Sequence, residues 1–259
     1  MAKKKKGTVK DEPSGQRANS LILVFLLLSG SCGLIYEIVW MKMLTLVIGN
    51  TVFAITTVLT AFMGGLALGS HLAGRLEGRI KQLLQIYGLL EGGIGIYALL
   101  LPIFAARFLF DTPRSFQYIQ RVEFAVIFGL ILVPTFMMGA TVPVAVKICT
   151  TDVRQVGKFF GNVYAINTLG AIIGSFMAGF ILIPWLGTRN SLLIAVAMNI
   201  LTAGLLFLRA STPALSRRVI GSVAIAVMAV LVWYPLAAWD ASILIGQQPG
   251  CIQRRIPRS

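Results

Sequence analysis

Long apolar runs alternate with short polar stretches along this chain, and none of the runs shows the two-residue alternation of a half-buried strand. Seven runs stand out: Leu21–Ile48, Val52–Ala73, Leu83–Ala106, Val122–Ile148, Phe159–Trp185, Ser191–Leu208 and Val219–Leu236. At about 1.5 Å per residue, each is long enough for a helix to cross a hydrocarbon core of about 30 Å. Backbone groups in lipid must be satisfied within the segment, so helix is the expected form; barrel strands would alternate over about 10 residues instead. The pattern predicts an all-α fold, a polytopic membrane helix bundle of about seven spans. It divides the chain into a basic, disordered cytoplasmic tail at 1–19, a transmembrane helical domain at 20–240 and a disordered basic tail at 241–259.

Composition agrees. Of 259 residues, 57% are hydrophobic and 12% charged, against about 45–50% and 25% in a soluble domain. This excludes an ordinary soluble enzyme, a disordered chain and a disulfide scaffold. The net charge of +14 would suggest nucleic acid in a soluble protein. Here the basic residues sit mainly in tails and loops, where they set orientation, so anionic lipid headgroups are the expected partner and nucleic acid is not. With the N-terminus inside, the inner segments carry Lys3 to Lys6, Lys10, Arg17, Arg75, Arg79, Lys81, Lys147, Arg154, Lys158, Arg209, Arg217 and Arg218. The outer segments carry about half as many, which favours a cytoplasmic N-terminus in a bacterial inner membrane. The lysine-rich start resembles a signal-peptide n-region, but the apolar run behind it is too long and has no cleavage site.

One pattern recurs. The second run holds Gly65-x-x-x-Gly69-Ser70-x-x-Ala73-Gly74, and the fifth holds Gly170-x-x-x-Gly174-Ser175-x-x-Ala178-Gly179, 105 residues later. Spans 1–3 and 4–6 then read as two related three-helix halves, as in many transport folds. The alternative is that both helices acquired small-x-x-x-small packing faces independently. The short basic loop from Gly74 to Lys81 partly matches the loop motif of major facilitator transporters, lacking its usual Asp.

Two of the nine acidic residues fall well inside apolar runs, Glu37 in the first and Glu91 in the third. A charge there costs about 2.5–3.5 kcal/mol on insertion scales, so such groups face the bundle interior or water. They are candidates for a proton or cation site, polyamines included. The competing reading is structural, an ion pair with Lys42 or hydrogen bonds to Asn167 and Thr168. By helical rise Glu91 lies about 12 Å and Glu37 about 24 Å along its helix, so the two need not meet. His71 is the lone histidine, and Cys32, Cys149 and Cys251 are widely spaced, so no metal site or disulfide framework is expected. Pro134, Gly139 and Pro143 are expected to kink or loosen the fourth span. No phosphate-binding glycine loop, nucleophile elbow or zinc-protease motif occurs, so no catalytic residue and no cofactor is expected.

Four stretches carry a resemblance. Ser29-Gly30-Ser31-Cys32-Gly33-Leu34-Ile35-Tyr36-Glu37-Ile38-Val39-Trp40 resembles the opening span of membrane-bound, spermidine synthase-like proteins, also called fused major-facilitator/spermidine synthase proteins. The stretches from Ala61 to Ser70, Pro134 to Pro143 and Tyr164 to Gly174 resemble their second, fourth and fifth spans, and the likeness covers roughly residues 20–240. The resemblance implies a soluble aminopropyltransferase-like domain after the membrane part, of Rossmann-type methyltransferase fold, using decarboxylated S-adenosylmethionine and putrescine. Trp239-Asp240 resembles the junction into it, yet from about Ile245 the sequence departs and ends in a basic tail. The expectation is the membrane half of such a protein, truncated or frame-shifted, inactive alone, and serving as anchor or in handling polyamine or another substrate. A separate aminopropyltransferase-like domain or a polyamine is its expected partner. The alternatives are a small transporter of polyamines or other cations, and a degenerate reading frame.

Overall fold

A computed structural model describes residues 13–48, 51–76, 82–111, 116–150 and 156–210. Regular structure among them is entirely helical: α1 (Pro13–Ile48), α2 (Thr51–Leu76), α3 (Leu83–Asp111), α4 (Phe116–Cys149), α5 (Val156–Phe176) and α6 (Ile183–Arg209). A π-helical stretch, Met177–Leu182, joins α5 to α6. Five segments are long and apolar enough to cross a membrane: Ser20–Thr45, Val52–Arg75, Leu83–Pro102, Phe124–Cys149 and Phe159–Arg209.

The fifth segment is 51 residues long. Straight, it would reach about 77 Å, more than twice a hydrocarbon core. It is not straight, because Gly187 sits at φ 80 and ψ 165, a region essentially closed to residues with a side chain. The contacts show the reversal. Gly174 lies against the Ser31 backbone, and the thiol of the next residue, Cys32, points at the Ala195 carbonyl (3.5 Å). A continuous helix would hold Gly174 and Ala195 about 31 Å apart. The chain therefore turns back at Gly187, and six helical rods stand side by side. Gly187→Ala is expected to cost about 1–3 kcal/mol in thermal unfolding in detergent. Gly204→Ala in α6, where a Cβ meets open space, should be neutral or stabilising by up to about 1 kcal/mol.

The expectation of seven spans is not supported. The fifth and sixth predicted spans form one helical hairpin turning at Gly187. The seventh run, Val219–Leu236, lies outside the described residues, as do the two basic tails (the first up to residue 12) and loop residues 77–81. Helix α1 starts at Pro13, before the apolar run begins at Leu21.

The rods pack in pairs. Helix α2 lies on α4, α1 on α5 and α3 on α6. Gly170 meets Leu27 and Gly174 meets Ser31, so α1 and α5 run parallel. Gly65 meets Thr135, and Gly69 meets Phe136 and Ala140, so α2 and α4 run parallel too. Gly88, Gly92 and Gly95 meet Phe207, Ala203 and Ile200 in turn, so α3 and α6 are antiparallel. The glycines let backbones touch, which replaces the hydrophobic drive that lipid removes between helices. The outer surface is apolar: Val24, Leu59, Leu89, Ile172, Phe180, Leu201 and Leu208 are exposed. Such a skin would be an aggregation hazard in water and suits lipid.

Polar groups are handled locally. Thr45, Thr56, Thr57, Thr60 and Thr150 each donate to a carbonyl four residues back. Helix α4 continues through Pro134 and Pro143. Proline has no N–H, so Pro143 leaves the Gly139 carbonyl without its helical donor. Ser70 of α2 donates to that carbonyl at 2.8 Å. A proline defect in one helix is thus sealed by a serine from its neighbour, as lipid-embedded backbone requires.

Candidate functional site

Two features lie between the rods. The first is a cavity of about 440 Å³ between α1, α2, α4 and α5. It extends from Gly33, Leu66 and Met138 at mid-bundle to Gly74 and Phe160 near the helix ends. Those are the C-terminal end of α2 and the N-terminal end of α5, so the cavity faces the side on which α1 begins. Ser29, Ser70, Thr141, Tyr164 and Asn167 give its wall hydroxyl and amide groups.

The second feature is a buried polar column. Glu91 of α3 is 0% exposed, and among the described residues neither carboxyl oxygen has a hydrogen-bond partner. The side chains of Ser29 and Tyr87 approach it without completing an aligned hydrogen bond. Tyr87 precedes Glu91 by one helical turn, which puts both on one face of α3. Cys32 and Tyr36 of α1 lie close enough to feel its charge. The Tyr36 and Tyr87 hydroxyls, Trp40 Nε1 and Asn199 Oδ1 are also buried without partners. Tyr36 and Trp40 stack at 5.4 Å. Buried polar groups are nearly always satisfied, so this many partnerless atoms in one place is unusual. Ser29 lines the cavity and approaches Glu91, so it stands between the two features.

The other expected residues separate. Glu37 is buried (5% exposed) in α1, two turns beyond Ser29, and does not line the cavity. Lys42 is exposed. Asn167 lines the cavity, and its backbone carbonyl lies against Gly30. Gly65, Gly69, Gly170 and Gly174 sit at the α2–α4 and α1–α5 contacts. Cys32 and Cys149 are buried free thiols, and His71 is exposed. No group of metal-ligating side chains occurs among the described residues. Sequence reasoning missed Ser29, Tyr87 and Asn199. Only Tyr87 had a local cue, its i, i+4 spacing from Glu91.

The described residues form a helical bundle with an apolar skin and five segments long and apolar enough to cross a membrane. Its sequence relatives are more particular. The chain is similar to polyamine aminopropyltransferase 2 of Streptomyces coelicolor, 27% identical over 209 residues, which covers 76% of this chain and 35% of that protein. It is also similar to polyamine aminopropyltransferase of Leptospira interrogans, 23% identical over 179 residues, covering 69% and 34%. Polyamine aminopropyltransferase 1 of S. coelicolor is 24% identical over 186 residues, covering 70% and 32%. The chain is a distant homologue of these proteins and spans about a third of their length. No protein-family model and no solved structure matches it.

Proposed function

We propose that the chain is the membrane-spanning portion of a spermidine synthase-like polyamine aminopropyltransferase, holding the transfer chemistry against the bacterial inner membrane. One observation carries this. A match of 209 residues in a chain whose described helices occupy 13–210 must fall largely on the helical bundle. This supports reading the relatives' shared third as the bundle, with aminopropyl transfer in the remainder. A cytoplasmic N-terminus is favoured by the helix ends. Arg75, Lys147 and Arg209 stand in the last turns of α2, α4 and α6, on the side where α1 starts. The last turns of α1 and α3, at the other side, carry no basic residue. The cations meet anionic headgroups and complement the helix C-termini. The unpartnered Glu91 supports a second role, handling polyamine or another cation within the membrane.

Helices α1–α3 and α4–α6 are, in this reading, two related halves. The recurring glycine pattern supports it, because the α2 and α5 copies each pack closely on the first helix of the other half.

A chimaera tests the proposal. This chain replaces the matched third of polyamine aminopropyltransferase 2 from S. coelicolor. Aminopropyl transfer from decarboxylated S-adenosylmethionine to putrescine should stay in carbonate-washed membranes. Release of the chain by carbonate, or an inserted chimaera without transfer, overturns the assignment.

A further inference from the structure

The halves run in opposite senses. Exchanging α1 with α4, α2 with α5 and α3 with α6 carries the main packed pairs onto one another. The α1–α5 contact becomes α4–α2, α1–α6 becomes α4–α3, and α3–α6 maps onto itself. A shift of 105 residues reproduces one close contact in α1 and α2. Gly174 against the Ser31 backbone maps onto Gly69 against the Phe136 backbone. Cys32, which faces Ala195 on α6, maps onto Met137, which faces Gly93 on α3, about one turn from the Leu90 image of Ala195. These are the relations of a pseudo-two-fold axis lying in the membrane plane.

The cavity sits on that axis. Under the same shift Gly33 exchanges with Met138, Phe62 with Asn167 and Leu66 with Ala171, and all six line it. Leu34 exchanges with Gly139 as well, and both line it; the remainder of its lining does not map onto itself. Ser70, Thr141, Val142 and Tyr164 lie toward the open side. Their images are Ser175, Tyr36, Glu37 and Leu59, of which Tyr36 and Glu37 are buried. A two-fold arrangement of rods thus holds a one-sided cavity.

We propose that the bundle exchanges between this conformation and a second one, in which the cavity closes on the side where α1 begins and opens on the other. In the second state Glu37, with Tyr36 and Ser175, lines the opening and offers a carboxylate to a cation passing through. Because the two states exchange equivalent helix contacts, they differ little in packing energy, which is the condition for a bistable element. This accounts for a buried carboxylate outside the present cavity. It rests on the relation between the halves and not on the transferase assignment.

Single cysteines test it in a background where Cys32, Cys149 and Cys251 are replaced by alanine. Positions Val142 and Tyr164 probe the present opening; Ile38 and Ser175 probe the other. A membrane-impermeant maleimide is applied to sealed vesicles of each orientation. Cysteines at 142 and 164 should react from one face only, and those at 38 and 175 from the opposite face only. Cysteines at 38 and 175 that react only after denaturation, or from the same face as 142, overturn the exchange. Putrescine, as a cationic probe, should protect the cysteine at 38 and lose that effect in Glu37→Gln. Protection that is absent, or equal in both, removes Glu37 from the path. The relation between the halves is read separately, from the matched glycine substitutions described below.

Discussion

Alanine at Gly69 or at Gly174 is expected to destabilise the bundle by about 1–3 kcal/mol each, the usual cost of overpacking. The added Cβ at Gly69 would fall on the Phe136 carbonyl and within 3.0 Å of the Ala140 nitrogen. At Gly174 it would fall on the Ser31 carbonyl. Both obstacles are backbone, so no rotamer change relieves them, and the helices must separate. Separation would also strain neighbouring cross-helix hydrogen bonds: Ser31 to the Gly170 carbonyl and Ser70 to the Gly139 carbonyl, each 2.8 Å. Controls come from open faces of α4 and α5. Gly129 and Gly161 have nothing within 4 Å of a built Cβ, so alanine there should gain up to about 1 kcal/mol of helix propensity. Thermal unfolding in detergent reads all four. The two contacts lie in separate helix pairs, so the double variant should be additive to within about 0.5 kcal/mol. Losses of similar size at 69 and 174 support equivalent halves. Tolerance at either position contradicts the close packing, and a large inequality contradicts the equivalence.

These glycines were legible in the sequence because small-x-x-x-small spacing is a local pattern that marks one helix face. Their partners were not, because Ser31 and Phe136 are set by tertiary register. The same distinction runs through the rest. The buried position of Glu91 could be read from its apolar run, but its approach to Ser29 joins α1 to α3 and leaves no trace in spacing. The repair of the Pro143 defect by Ser70 spans 69 residues. Both prolines were visible and suggested a loosened helix; the serine that closes the gap was invisible until α2 lay on α4. The turn near Gly187 was placed correctly between two apolar runs, since Trp185 and Ser191 bracket it. That the turn stays within one nearly continuous helical segment depends on the dihedral freedom of a single glycine, which composition does not report.

Glu91→Gln is expected to leave the stability of the bundle within about 1 kcal/mol of wild type, and Glu91→Leu to match or exceed it. Neither carboxyl oxygen is hydrogen-bonded, and the side chain is wholly enclosed. A buried polar group of this kind contributes no net interaction, so replacing it with an apolar one of similar volume is often neutral or stabilising. Lysine is different. It would bury a charge beside two partnerless hydroxyls, at a cost of about 2.5–3.5 kcal/mol on insertion scales, and the yield of folded protein should fall. Unfolding in detergent separates the three variants. A loss well above about 1 kcal/mol in Glu91→Gln would mean that the carboxylate holds the helices together and is structural. Retained stability would mean that the carboxylate at this position does not serve packing. The chimaera with the S. coelicolor relative then asks what it does serve: a Glu91→Leu bundle that folds but no longer supports membrane-bound aminopropyl transfer assigns Glu91 to handling a cation or proton and not to the fold.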